Sequence, residues 1–236
     1  MITFDLLWVI FKPGELMYES KHGHERLYRL QRTGYGETVE RGRFFEVSCA
    51  YTTSDGTRSG TSSTNLRIWE RNEFVGSSSA SITGLSVFPL TFRGQQDDIK
   101  ERLINRGKRY LEIHGVQSYD YEGLFLYLKQ PPHDFYNECA SYGGTWLPRT
   151  ASERIVVDNK TFLEELAQQK EDIRNCCNNE NISGEEGLSY EAAEIDPLLC
   201  PPYVYGFNLD MKEWCRFFVD SLKSFEWTPN AMDQLV

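Results

Sequence analysis

The chain has 236 residues, enough for one large domain or two small ones, and its 40% apolar, 14% aromatic and 25% charged content is that of a globular protein rather than a disordered one. Its net charge of −10, concentrated between Glu164 and Asp196 where ten acids face two bases, offers no phosphate-tracking surface and argues against nucleic acid as a partner. No apolar run reaches the eighteen or so residues that span a bilayer, and the opening MITFDLLWVIF carries Asp5 with neither a basic leader nor a small-residue cleavage site.

Phe4 to Phe11 is a continuous apolar run stopped by Pro13-Gly14, and Leu16 to Tyr18 resumes an extended pattern, so a strand, a tight turn and a second strand are expected. Lys21 to His24 is a polar turn. Arg26 to Gln31 follows as a strand, and Phe44 to Tyr51 puts Phe45, Val47, Cys49 and Tyr51 on one face. Asp55-Gly56 marks a hairpin turn. Asn65 to Trp69 and Ile82 to Leu90 read as further strands, with Pro89 placing the latter at an edge or at its own end.

The period changes after Gly94. Asp97, Asp98 and Glu101 precede Ile99, Leu103 and Ile104 on one face, and Arg106, Lys108 and Arg109 gather at the end, the charge order a helix dipole prefers. Gly107 either caps this helix or admits a neighbouring element, and both readings stay open. Tyr119 to Lys129 is a strand ended by Pro131-Pro132, His133 to Pro148 an irregular aromatic loop, and Arg154 to Val157 a short strand. Thr161 is expected to cap a helix from Phe162, with Glu164 completing a capping box. The stretch from about 171 to 197 reads as an acidic, mobile insertion. Tyr203 to Val219 is a hairpin of buried strands, and both faces of Trp214 to Val219 are apolar enough for a central strand.

Candidate chemistry is sparse. Gly34-Tyr35-Gly36 opens like a dinucleotide fingerprint but lacks the third glycine and a following helix, so a turn is expected there, and there is no Gly-x-x-x-x-Gly-Lys-Ser/Thr loop to cradle phosphates. His22 and His24 with Cys176-Cys177 do not match metal-ligand spacings. A Cys or Ser nucleophile served by His114 or His133 has no nucleophile elbow to support it. Six cysteines without a secretory signal read as reduced thiols, which fits an intracellular setting, cytoplasmic or nuclear. The residues singled out for partner contact are Phe135, Tyr136, Tyr142 and Trp146, large aromatics on the irregular loop.

Six phrases, taken in order, carry a resemblance: DLLWVIFKPGELMY (Asp5 to Tyr18), LSVFPLTF (Leu85 to Phe92), IKERLINRGKRYLEIHG (Ile99 to Gly115) with YDYEG (Tyr119 to Gly123), RIVVD (Arg154 to Asp158), and VYGFNLDMKEWCRFFVDSLKSFEWTPNAMDQLV (Val204 to Val236). Together they resemble the region of unknown function that precedes the ATPase core in fungal AAA-type ATPase-like proteins. The resemblance covers almost the whole chain, and departs from the pattern at Ser152-Glu153, where relatives carry a glycine before the strand.

It implies that Gly206, Phe207, Leu209, Lys212 and Trp214 form a hairpin leading, through Trp227, Ala231 and Leu235, towards an ATPase module. That module lies outside this sequence, so catalytic, metal and cofactor residues are assigned to none of its positions, and ATP is implied for the module alone. The expected architecture is α+β, a mostly antiparallel curved sheet or partial barrel with one main helix at about 97–109 and a few short ones. Residues 1–227 are expected as one domain and 228–236 as the start of a linker helix. The functional expectation is a non-catalytic recognition and positioning domain that meets a protein or peptide partner and its own ATPase module. A free-standing binding module and a hydrolase with an unrecognised site are the alternatives.

Overall fold

The computed structural model describes residues 1–76, 78–129, 145–177 and 195–224, with positions 169–177 as backbone only. They group into two compact units: Met1–Ile113 with Asn179–Pro202, and His114–Asn178 with Tyr203–Val236. The class is α+β, with antiparallel sheets throughout, as expected.

In the first unit β1 (Ile2–Thr3) leads through a 3-10 turn (Phe4–Leu6) into α1 (Leu7–Ile10). The expected opening strand is therefore helical instead. Phe4, Leu7 and Phe11, three and four residues apart, are buried at 3%, 0% and 2%, a helical period that apolar residues on the opposite side had hidden. Next come β2 (Leu16–Lys21), β3 (His24–Thr38), β4 (Gly42–Ser54), β5 (Ser59–Trp69), α2 (Glu70–Glu73), β6 (Ser79–Ala80), β7 (Val87–Pro89) and α3 (Gln96–Glu112). The main sheet runs β5-β4-β3-β2-β7, and β1 pairs β6 separately. Pro89 lies on the edge strand β7, which is hydrogen-bonded to β2.

Alternation along β4 puts Phe45, Val47 and Cys49, each fully buried, on one sheet face. Phe11 meets Phe45 edge to face at 5.2 Å there. The opposite face carries Leu27, Thr52 and Ser54 and receives α3. The Tyr110 hydroxyl accepts from the Ser54 amide at 3.1 Å, and Arg106 donates to the Glu25 carbonyl at 2.7 Å. Gly34-Tyr35-Gly36 is strand interior, not a turn: it lies within β3, where the Phe44 ring covers Gly36 so closely that a Cβ would stand 2.4 Å from it.

Gly107 admits a neighbour. A Cβ at this position would lie 1.8 Å from the Pro197 carbonyl oxygen, and α3 continues to Glu112. The neighbour is the segment Asp196–Cys200, whose 3-10 turn is capped by the Asp196 carboxylate accepting from Leu198 N–H at 3.0 Å. Asp196 also donates its amide to Thr52 at 3.2 Å and pairs with Arg29 at 3.3 Å.

The second unit is a ring. β8 (Gln117–Lys129) pairs β9 (Thr145–Val157), β9 pairs β10 (Tyr203–Asn208), β10 pairs β11 (Glu213–Phe218), and β11 returns to β8; β12 (Leu222–Ser224) pairs with the first part of β8. β11 is thus hydrogen-bonded on both edges, as a central strand must be. Tyr121, Phe125 and Phe217 fill the ring with Ile155, Val157, Val204 and Cys215, all between 0% and 1% exposed. Gly206 lets β9 come close, since a Cβ there would meet the Val156 carbonyl oxygen at 2.4 Å.

Two expectations in this unit are corrected. The short strand before Val157 is the end of a thirteen-residue strand, which absorbs Thr145 to Pro148 of the supposed loop. Pairing with β8 holds it together, because its own Pro148 to Ser152 stretch is polar and shows little apolar alternation. The helix α4 (Asn159–Cys177) also starts earlier than Thr161: its cap is Asp158, whose carboxylate accepts from Thr161 N–H at 2.9 Å. Most of the acidic stretch, and the whole of 228–236, lie outside the described residues.

Candidate functional site

Among the described residues, the outer face of the strand ring gathers a group of partly exposed aromatics. β10 alternates Val204, Gly206 and Asn208 inward with Tyr203, Tyr205 and Phe207 outward. β11 does the same with Cys215 and Phe217 inward and Trp214 and Arg216 outward. β9 adds Trp146 beside them.

The first turn of α4 pins this face. Asn159 accepts the Tyr205 amide at 2.6 Å, which places Phe162 flat on Tyr205, ring centroids 4.1 Å apart and planes 20° from parallel. Phe162 also meets Trp214 at 5.3 Å and Trp146 at 6.1 Å. Trp214 is oriented by its indole N–H, which donates to Glu165 at 2.7 Å. At the centre the Arg216 guanidinium stands 4.1 Å from the Trp146 ring, 4.6 Å from Tyr203 and 5.5 Å from Tyr205, and donates to the Tyr205 hydroxyl at 3.4 Å.

Chemically this is a stacking platform with a delocalised charge in its middle. Flat rings lose little side-chain entropy on contact, and a guanidinium held between π faces stays charged while shedding water, so the surface suits planar peptide groups, aromatic side chains and carboxylates.

Of the residues expected at a contact site, Trp146 belongs to this face, while Phe135, Tyr136 and Tyr142 lie outside the described residues. The sequence reading missed Tyr203, Tyr205, Trp214 and Arg216 as surface groups. Their signal was the alternation in YVYGFN and EWCRFF, whose outward members are as apolar as the inward ones.

The remaining candidates are less promising. Cys49, Cys200 and Cys215 are buried free thiols, each pushed up to about 12 by burial and, for Cys49, by the Glu19 charge, so none holds a thiolate near neutral pH. His22 and His24 sit at the β2–β3 turn, His114 is exposed, and His133 lies outside the described residues. Among the described residues no group of three His, Cys, Asp or Glu side chains could hold a metal, and no helix is long and apolar enough to cross a membrane.

Residues 1–94 match the model of a domain of unknown function (DUF7025), which takes in 94 of the 236 residues and all five strands of the first unit's main sheet. No curated protein and no solved structure matches the chain.

Proposed function

We propose that this chain is a non-catalytic recognition and positioning domain of an AAA-type ATPase-like protein, and that it meets a protein or peptide partner through the outer aromatic face of its strand ring. The observation that carries the reading is the grouping of Trp146, Tyr203 and Tyr205 around the Arg216 guanidinium, with Trp214 joined to them through Phe162, on one partly exposed surface. The ordered resemblance along the chain supports the place in a larger ATPase, and the match of residues 1–94 to a domain of unknown function is compatible with it. Binding belongs to this chain and nucleotide turnover to the module it would position.

Two experiments test this. A photo-reactive amino acid at position 203 should cross-link a peptide ligand selected on the intact chain, whereas the same group at Val39, which is fully exposed elsewhere, should not. Calorimetric titration of ATP into the chain should give no saturable heat; a saturable one would overturn the non-catalytic reading.

A further inference from the structure

The opening segment of the first unit is apolar on two sides. One side, Phe4, Leu7 and Phe11, is seated in the core. On the other, Met1 is 81% exposed, Leu6 50%, Trp8 59% and Val9 46%, a concentration of large apolar groups unlike the scattered single residues of ordinary surfaces. The only charged side chains from residue 1 to 12 are Asp5, held by Arg43, and Lys12.

Beside these residues a cavity of about 270 Å³ is lined by Met1, Ile2, Thr3, Leu6, Val9 and Ser79. Its floor is the two-stranded pairing of Ile2 with Ala80 and Thr3 with Ser79, and its wall is the Leu6 and Val9 flank of the helical turn.

We propose that this groove is a second recognition site, and that its occupant is a short extended segment of a partner protein which inserts a single aliphatic side chain between Leu6 and Val9 and lies along β1. Size decides among occupants. Four side chains at these exposures present on the order of 500 Å² of apolar surface, short of the roughly 800 Å² that each partner of a stable complex buries, so a second copy of the chain is too large a partner for this patch alone. The cavity falls just below the roughly 300–1,000 Å³ of small-molecule sites and is mostly apolar, with Thr3 and Ser79 its polar residues, and it accommodates one Leu, Ile or Met side chain. The pairing of β1 with β6 is only two residues long, and an extended segment that adds main-chain hydrogen bonds there would lengthen it.

The groove belongs to the first unit, and the proposal does not rest on the reading of the aromatic face. Random heptapeptides are selected on the intact chain, and the binders are re-measured against Leu6→Glu, Trp8→Ser and Trp214→Ala. Because Leu6 and Trp8 are already half exposed, both variants are expected to fold, checked by an unchanged melting temperature. The expected result is a class of peptides sharing one aliphatic residue at a fixed position, weakened at least tenfold by Leu6→Glu and unaffected by Trp214→Ala. The proposal is overturned if no selected peptide is sensitive to Leu6→Glu. It is equally overturned if sedimentation shows a dimer that Leu6→Glu dissolves, or if phosphatidylcholine vesicles bind the chain in a Leu6-dependent way, since the occupant is then a second copy or a lipid surface.

Discussion

The two units manage strand edges in opposite ways. The first keeps an open five-stranded sheet with β5 and β7 at its margins and builds its core by covering both faces, with the opening helical turn on one and α3 with the Asp196–Cys200 segment on the other. The second closes four strands on themselves, so its core is the ring interior and its outward side chains are released for other use. In the open sheet a side chain that is apolar and outward still finds a covering element. In the closed ring the outward aromatics are covered only in part, by Phe162 of α4, and Trp146, Tyr203, Tyr205 and Trp214 keep a partly exposed surface rather than forming a second core.

The comparison breaks most visibly at the ring interior. Phe217 lies 5.0 Å from Tyr121 and 5.5 Å from Phe125, so Phe217→Ala should cost about 3–5 kcal/mol in denaturant unfolding, because a four-strand ring has little freedom to collapse onto the cavity. A cost under about 1 kcal/mol would mean the ring is not packed as described.

Next in size is the seat of the covering segment. Gly107→Ala in a free helix would gain roughly 1 kcal/mol of propensity, but here the new methyl meets the Pro197 carbonyl, and a net loss of about 1–3 kcal/mol is expected. A net gain would show that Asp196–Cys200 does not cover α3.

A smaller effect should come from the helix that pins the aromatic face. Asp158→Ala removes the cap of α4 at a cost of about 1 kcal/mol, and should loosen the packing of Phe162 on Tyr205, read as a change in near-ultraviolet dichroism.

The smallest is a pH effect in the first unit. Burial pushes the Glu25 carboxyl up, but hydrogen bonds from Arg102 and Tyr18 and the charges of Arg102 and Arg93 outweigh it and leave the group below its ordinary 4.5. A carboxylate with a depressed folded value contributes stability above its unfolded value, and that contribution is lost as pH falls from about 4.5 through the lower folded value. Glu25→Gln should therefore lower stability by a constant amount above about pH 5 and flatten the acid limb of the curve below it, with the slope on the alkaline side unchanged.

Much of the fold was legible in the sequence because local signals agreed with tertiary ones. Asp55-Gly56 turns the β4–β5 hairpin with Gly56 at φ 84°, and the charge order around Ile99 and Leu103 located α3 to within a few residues. Where the chain is apolar on every side the signal failed. MITFDLLWVIF hides a helical period because its exposed flank is as hydrophobic as its buried one, and the outward aromatics of β10 and β11 looked like core for the same reason. Polar β9 failed in the other direction, since its thirteen residues are strand only through pairing with β8. Each of these failures falls on, or beside, one of the two proposed contact surfaces, and functional surfaces are where a sequence is expected to depart from the core-and-solvent pattern.

The most direct test is the affinity of a peptide ligand, selected on the intact chain and cross-linked at position 203, for the folded variants Trp146→Ala and Trp214→Ala. Loss of at least tenfold in both, with the melting temperature held within a few degrees, is the predicted result. Unchanged affinity in both would contradict the claim that the outer aromatic face of the ring is the contact surface.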